Sequence, residues 1–437
     1  MAVKPKRLKK IRKAKMSMEN TDIEQKIISR ESIHDRIEEV QDIINMEEKW
    51  KTNLWKLYTF HFFMGLHLIS GVLLPFFLRW GKLTFVEVML LQSYFTMMTL
   101  LFEIPCGAIA DYMSRKFSLI LGALITALAA LIYGSYPNIF IFGIGETLWA
   151  FAGALISGTD QAFMYDTLRK LGRENDILKI TARNRSFMLF GITVSAPIGS
   201  IIGANLSLNL VMTFMFFPFF MAALISLTLR EPNHELEKKK TDNYITIIKS
   251  GFKELKRNKI LRILAFEMIM TESIVFFLIW TYQIYLEALS FQLVFFGLVS
   301  ASMTVIQIIF NNIVAKLTTR IKNKTNFLQI YTIIPGLGYI LIALIFYIPI
   351  SIPLILTIIG FGFSRRLIFV KGINKQIETH NRATVLSTIN MAASLIRSVL
   401  YPFIGFLVTW NLSTTFILFG AIIIIFAMLS RIKSEYL

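Results

Sequence analysis

From residue 53 onward the chain is a succession of apolar runs separated by short polar breaks, each run about 20 to 25 residues or slightly more, enough for one helix to cross a hydrocarbon core. The runs and their breakers predict twelve spanning helices near 53–79, 84–109, 116–136, 138–168, 184–204, 208–229, 260–288, 290–316, 326–347, 351–374, 383–409 and 412–431. The breaks alternate in character. Those after the third, fifth, ninth and eleventh spans hold no Lys or Arg, and on that side only Arg79 and Lys82 occur, after the first span. The other breaks carry Arg115 and Lys116, then six cations from Arg169 to Arg185, then the clusters Lys238–Lys259 and Lys316–Lys324, then Lys371, Lys375 and Arg382. By the positive-inside rule these loops and both termini are predicted to be cytoplasmic, in a multi-pass protein of the inner or plasma membrane.

Residues 231–258 form the one long polar connection between spans and fall after the sixth. The predicted organisation is an N-terminal cytoplasmic region (1–52), a six-helix bundle (53–230), a cytoplasmic linker (231–258) and a second six-helix bundle (259–437). Residues 4–15 hold eight cations and no acid, which reads as a solvated arm attracted to anionic headgroups or as a plain topology signal. Between Met18 and Trp50, Ile23, Ile27, Ile37, Val40 and Ile44 recur at helical spacing among many acids. They predict an amphipathic helix that could lie on the membrane, self-associate or pack under the bundle.

Composition narrows the function. Charged residues make up 17% of the chain, against about a quarter in soluble proteins, and hydrophobic residues 55%. This excludes an ordinary soluble enzyme. Cys106 is the single cysteine, so no intrachain disulfide and no Cys-rich metal site can form. No metal and no cofactor are expected. The net charge of +18 would fit a nucleic-acid partner, but its distribution is that of a topology signal, so none is expected. There is no apolar run directly after the basic residues 1–15, so no cleavable signal is expected there. A phosphate-binding Gly-x-x-x-x-Gly-Lys-[Ser/Thr] loop, a His-Glu-x-x-His motif and paired intramembrane aspartates are also missing, which argues against ATP drive and against an intramembrane enzyme.

The two halves echo one another. Gly107, Asp111 and Arg115 after the second span match Asn312, Lys316 and Arg320 after the eighth in spacing, and Arg185-Ser-Phe-Met-Leu entering span five matches Arg382-Ala-Thr-Val-Leu entering span eleven. Parallel six-helix repeats are one way in which transporters build a site at the interface of two halves.

The segment Gly107-Ala-Ile-Ala-Asp111-Tyr-Met-Ser-Arg115-Lys116 resembles the major facilitator superfamily signature Gly-x-x-x-Asp-[Arg/Lys]-x-Gly-[Arg/Lys]-[Arg/Lys]. Gly107, Asp111, Arg115 and Lys116 match, while Tyr112 and Ser114 depart from it. Leu-Phe-Glu103-Ile-Pro105, Ser157-Gly158, Tyr165-Asp166-x-Leu and Arg382-Ala-Thr-Val-Leu-Ser387 look like those of prokaryotic drug and small-solute members, and the resemblance covers about residues 53–431. It implies an all-α fold of twelve helices in two pseudo-symmetric bundles. It also implies a cytoplasmic gate, closed in the outward-facing state, in which Asp111 meets the Arg382 end of span eleven and Arg115 meets Asp166. Such a charge cluster, made in one state and broken in the other, biases a two-state equilibrium.

Charges inside a spanning helix are costly and face a cavity or a partner. At 1.5 Å per residue, Glu267 and Glu272 lie about 12 and 20 Å into span seven, and Arg397 about 21 Å into span eleven. Arg365 and Arg366 lie in the cytoplasmic half of span ten; Glu146, His61 and His67 complete the set, with Glu103 and Asp160 nearer the cytoplasmic face. Glu272, Glu146 and Glu267 are candidates for proton coupling, because burial favours the neutral form of a carboxylate and lets it load and release a proton; the alternative for Glu272 is a permanent pair with Arg397 or Arg366. Arg397, Arg365 and Arg366 are candidate contacts for an anionic substrate, and Trp149, Trp280 and Tyr282 candidate walls of an aromatic cavity. His61 and His67, six residues apart, do not share a helical face, so interhelical contacts are expected of them and not a metal pair. Ala196-Pro197-Ile198-Gly199 predicts a bent, closely packed fifth span.

The expected function is alternating-access transport of a small organic solute, proton-coupled, with antiport and efflux of drugs or metabolites favoured. An uncoupled uniporter or organic-anion importer of the same fold is the first alternative, and a non-transporting receptor or scaffold working through residues 1–52 the second. A monomer in contact with the lipid bilayer is expected.

Overall fold

The computed structural model describes residues 48, 50–112, 114–232, 244–321, 323–378 and 381–437; the amphipathic helix read between Met18 and Trp50 lies almost wholly outside them. Among the described residues there is no strand, and eleven helices are long and apolar enough to cross a membrane. Span 2 is Phe85–Tyr112, span 3 Arg115–Ser135, span 5 Ile177–Asn205, span 7 Lys259–Ala288 and span 8 Phe296–Arg320. Spans 9 to 12 are Lys324–Leu344, Ile348–Lys375, Arg382–Trp410 and Leu412–Leu429. Polar residues just outside the apolar runs set several of the starts. The side chains of Ser114, Asn138, Asn258, Asn323 and Asn411 each accept a backbone N–H of the first turn, satisfying a donor that the helix cannot use.

Span 1 departs from the expected continuous helix over 53–79. It is α-helical over residues 50–64, loses helical form at 65–67, and resumes as a 3-10 turn (Leu68–Gly71), a short α turn (Leu73–Pro75) and a π turn (Phe76–Trp80). The cause lies in its partner. A Cβ on Gly65 would collide with the Met188 carbonyl of span 5, one on Gly191 with the carbonyl of Phe62, and one on Gly199 with that of Leu68. The two backbones thus touch through glycines, and Pro75 adds a position with no N–H to donate. Span 5, closely packed as expected, also meets span 8, because a Cβ on Gly297 would strike the Ala196 carbonyl.

Span 4 runs through Ile139–Ile156 and resumes as Thr159–Lys170. The break falls at Gly158, whose φ of +77° lies in the left-handed region that side chains disfavour. Gly158→Ala is expected to cost about 1 to 2 kcal/mol, readable as a lower unfolding temperature of the detergent-solubilised protein. Span 6 is likewise interrupted, into Leu208–Phe214 and Phe216–Leu227.

Spans 2, 3, 4 and 6 pack together with spans 1 and 5 beside them, as do spans 7, 8, 9, 10 and 12 with span 11 beside them, and the two groups meet mainly through span 2 against span 11 and span 5 against span 8. The hydrophobic cores divide the molecule in a telling way. On the side away from the basic loops one cluster joins both groups, with Phe76, Phe77, Tyr133 and Phe142 in contact through the core with Phe277, Tyr401 and Phe419. On the basic side there are separate cores, one around Leu57, Phe60, Phe163 and Leu168, another around Leu264, Phe369, Ile373 and Ile389. The helix Tyr244–Arg257 lies under the second group, with Gly251 pressed against Thr388 of span 11.

Candidate functional site

The polar residues buried along the spans sort by their partners. Glu146 of span 4 is 5% exposed, and its carboxylate accepts a hydrogen bond from Gln92 Nε2 of span 2 at 2.8 Å. The Tyr133 hydroxyl of span 3 is its second hydrogen-bonding neighbour. Both are neutral, and among the described residues Glu146 is in no salt bridge. Beside it, Tyr94 and Thr147 share a hydroxyl hydrogen bond of 2.7 Å.

The second half holds more charge. Arg366 Nη1 reaches both oxygens of Glu272, at 2.9 and 2.8 Å, and its Nη2 donates to Asn390 of span 11 at 2.6 Å. Glu267 instead accepts from the Ser430 hydroxyl at 2.8 Å and from the Arg431 backbone N–H at 3.3 Å. Arg365 is 4% exposed, lies over the Phe369 ring at 4.8 Å, and lines a small cavity with Glu267, Thr271 and Ser430. Glu267 and Arg365 therefore face the interior of the second bundle. Arg397 stands differently: its guanidinium lies 5.1 Å over the Phe276 ring and donates to the Ser394 hydroxyl at 3.3 Å, and among the described residues it has no carboxylate within salt-bridge distance. One turn on, Tyr401 packs edge-on against Trp280 at 6.2 Å, and the neighbouring Ser398 carbonyl accepts from Ser93 Oγ of span 2 at 2.7 Å. Arg397 thus sits where span 11 meets the other half, at mid-span.

Trp149 packs against His67, Tyr133 and Phe219 within the first bundle, and the Tyr282 hydroxyl accepts from Gln283 Nε2 at 2.9 Å, so of the three aromatic candidates Trp280 is the one beside the Arg397 column. His61 precedes the break in span 1 and His67 is the last residue of it. His61 Nε2 is 3.3 Å from Asp160 of span 4, whereas His67 is enclosed by the rings of Trp149 and Phe219. No three His, Cys, Asp or Glu residues cluster to hold a metal among the described residues.

At the basic face Arg115 Nη1 pairs with Asp166 and also donates to the Ala162 carbonyl at 2.7 Å. Glu231 accepts the backbone N–H groups of Arg115 and Lys116 at 3.1 and 2.8 Å. Apart from Glu231, the first residue of the linker, these groups all belong to the first half of the chain. The Asp111 side chain lies outside the described residues; Gly107 has open space where a Cβ would stand, and Arg382 is exposed. At the opposite face polar contacts cross between the halves: Arg79 with Glu287 at 3.0 Å, Ser200 Oγ with the Val294 carbonyl at 2.8 Å, and Gln283 with the backbone of span 1.

Sequence reasoning did not single out Gln92, Tyr133, Gln283, Glu287, Asn390 or Ser430. The signal available for Glu287 was Arg79, a rare cation on the uncharged side that needs a partner. The neutral residues gave no comparable signal, since a Gln or Tyr in a span costs too little to demand an explanation. Because Arg366 and Glu272 neutralise each other, Arg366→Gln and Glu272→Gln are each expected to destabilise the protein. The double variant should recover part of the loss, as a double-mutant cycle of unfolding temperatures would reveal.

Two bundles of membrane-crossing helices, joined by one core on one side and separate on the other, with charged residues at mid-span, define a multi-pass membrane transporter and not an enzyme. The Major Facilitator Superfamily family model matches residues 57–370, and the chain belongs to that superfamily. Solved structures of similar fold include the nucleoside transporter NupG (16% identity, TM-score 0.72, covering 87% of this chain and 97% of that one). A D-xylose-proton symporter is also similar (11%, 0.68, 89% and 99%), as is a bacterial homologue of the human lysosomal transporter Spinster (15%, 0.67, 87% and 95%). Sequence comparison with curated proteins gives no match.

Proposed function

We propose that this chain is a proton-coupled secondary transporter of a small organic solute carrying an anionic group, with the halves 53–230 and 259–437 rocking about a site between them. The observation that carries this reading is the unequal pairing of the embedded charges. Arg366 pairs with Glu272, Arg365 shares a cavity with Glu267, and Arg397, the one at the interface, meets no carboxylate at salt-bridge distance among the described residues. A guanidinium in a low-dielectric cleft favours an anionic ligand group, which it can clamp through two N–H donors. Glu146, bonded only by neutral donors, supports the proton role better than Glu272, whose two oxygens both accept from Arg366 Nη1.

With the basic loops on the cytoplasmic side of the plasma membrane, in agreement with the positive-inside rule, the shared core on the far side and the divided core on the near side support an inward-facing state. In the opposite state the cytoplasmic mouth closes as Gly107, Asp111 and Lys116 approach Arg382; the Arg115–Asp166 pair is already made in this one and does not change between states. The protein works as a monomer, since each half supplies part of the site.

Export of neutral or cationic drugs is a second reading, favoured by the rings of Phe276, Trp280 and Tyr401 beside the same site. Proteoliposomes with an imposed pH gradient and an internal pH dye separate the two. Pools of organic anions should trigger proton movement; a signal with cationic drugs alone overturns the anion assignment, and silence in every pool, with folded protein, overturns the coupling. Deleting residues 1–50 should leave this flux intact, whereas lost binding of a partner with no flux in the full-length chain would identify a scaffold.

A further inference from the structure

In a continuous α-helix the Leu74 N–H would bond the Ser70 carbonyl, four residues back. Here each bonds the side chain of Gln283 instead: Leu74 N donates to Oε1 at 2.9 Å, and Nε2 donates to the Ser70 carbonyl at 3.2 Å. Gln283 belongs to span 7, in the other half of the molecule, and is 2% exposed. Its orientation is fixed by these partners, because a backbone N–H can meet only the amide oxygen and a backbone carbonyl only the amide nitrogen. Nε2 also donates to the Tyr282 hydroxyl at 2.9 Å, so both amide hydrogens are used. Around it lie the other crossings of this face, with Arg79 and Glu287 paired one turn further along span 7.

We infer that Gln283 is a positioning residue of the transport cycle that holds span 1 open. Its carboxamide is spliced into the hydrogen-bond ladder of span 1 while the halves meet on this face and withdraws when they part. The Leu74 N–H and Ser70 carbonyl then bond each other, and the span closes into a longer helix. The exchange leaves no buried backbone group without a partner in either state, which is what makes it accessible, since an orphaned buried donor is strongly penalised. On the parted face Gln283 is satisfied by water. The inference rests on alternating access, but its test does not depend on finding a substrate.

Met89 is fully buried and lies against Gly405 across the interface of spans 2 and 11, so Met89→Cys on a Cys106→Ser background reports parting of this face to a membrane-impermeant maleimide. Gln283→Leu should raise the labelling rate about tenfold and slow amide exchange at Leu74, as the ladder closes. Gln283→Glu, which keeps the size and the acceptor but puts a carboxylate oxygen against the Ser70 carbonyl, should shift labelling in the same direction even where Gln283→Leu fails to fold. Unchanged labelling in a folded variant, whatever its thermal stability, overturns the positioning role. Faster exchange at Leu74 means that the amide was left without a partner, and overturns the closing of the helix. Neither readout requires transport, so a failure here is distinct from a failure of the transport reading.

Discussion

Glu146→Gln abolishes accumulation driven by a pH gradient and leaves substrate exchange at equal pH intact, if the proton rides on Glu146. For one proton per solute and a gradient of two pH units, the accumulation ratio should fall from as much as about a hundredfold, tenfold per unit, to unity. Gln has the size of Glu and can still accept from Gln92 Nε2, so the packing of spans 2, 3 and 4 around it is retained. What is lost is the second protonation state. A coupled carrier must forbid reorientation of one of its loaded forms, and a carboxylate buried among neutral donors does this by being charged in one state and neutral in the other. Gln is permanently neutral, so the carrier reorients without a proton. Counterflow of labelled substrate measures what remains, and accumulation that persists with the same pH dependence would move the proton site elsewhere, Glu272 and Glu267 being the other candidates.

Arg397→Gln should raise the KM for an anionic substrate about thirty- to a hundredfold, the cost of roughly 2 to 3 kcal/mol for losing charge-assisted hydrogen bonds in a shielded cleft. The protein should fold normally. Arg397 is held by a ring and one hydroxyl, so removing it leaves no carboxylate uncompensated, in contrast to Arg366, whose removal strands Glu272. Arg397→Lys should recover only part of the affinity, because an ammonium lacks the planar fork that engages two oxygens at once. Uptake kinetics for the anion, compared with a neutral analogue, provide the check; equal losses for both would assign Arg397 to packing.

The number and length of the spans were legible in the sequence because crossing a bilayer is a local demand. Each segment must by itself present enough apolar residues, and each break shows as a polar interval. The likeness of the halves and the superfamily signature at Gly107 to Lys116 were legible for the same reason, being patterns along one strand of text. Span 1 marks the limit. Its run from Leu66 to Leu78 is apolar apart from His67, Ser70, Gly71 and Pro75, yet the helix already fails at 65–67, because the Met188 and Leu68 carbonyls meet glycines across more than 120 residues of chain. Gly65, Gly71 and Pro75 hinted at weakness, but glycines in membrane helices more often serve close packing within an intact helix.

The site divides along the same line. That Glu146, Glu272, Arg366 and Arg397 carry the costly charges followed from composition alone, since any ionised group in an apolar run must answer for its desolvation. Which acid answers to which base did not. Glu272 could pair with Arg366 or Arg397 on depth alone, and only the packing of span 7 against span 10 selected Arg366, 94 residues away. That choice left Arg397 without an acid among the described residues, and the spans around Glu146 supplied that carboxylate with an amide and a phenol. The sequence by itself determined a multi-pass helical membrane protein with a polar interior, through the transfer energetics of each segment taken singly. The tertiary structure decided which charges are paired within one half and which meet no opposite charge among the described residues, because that depends on distances between spans, and hydrogen bonds act only within a few ångströms.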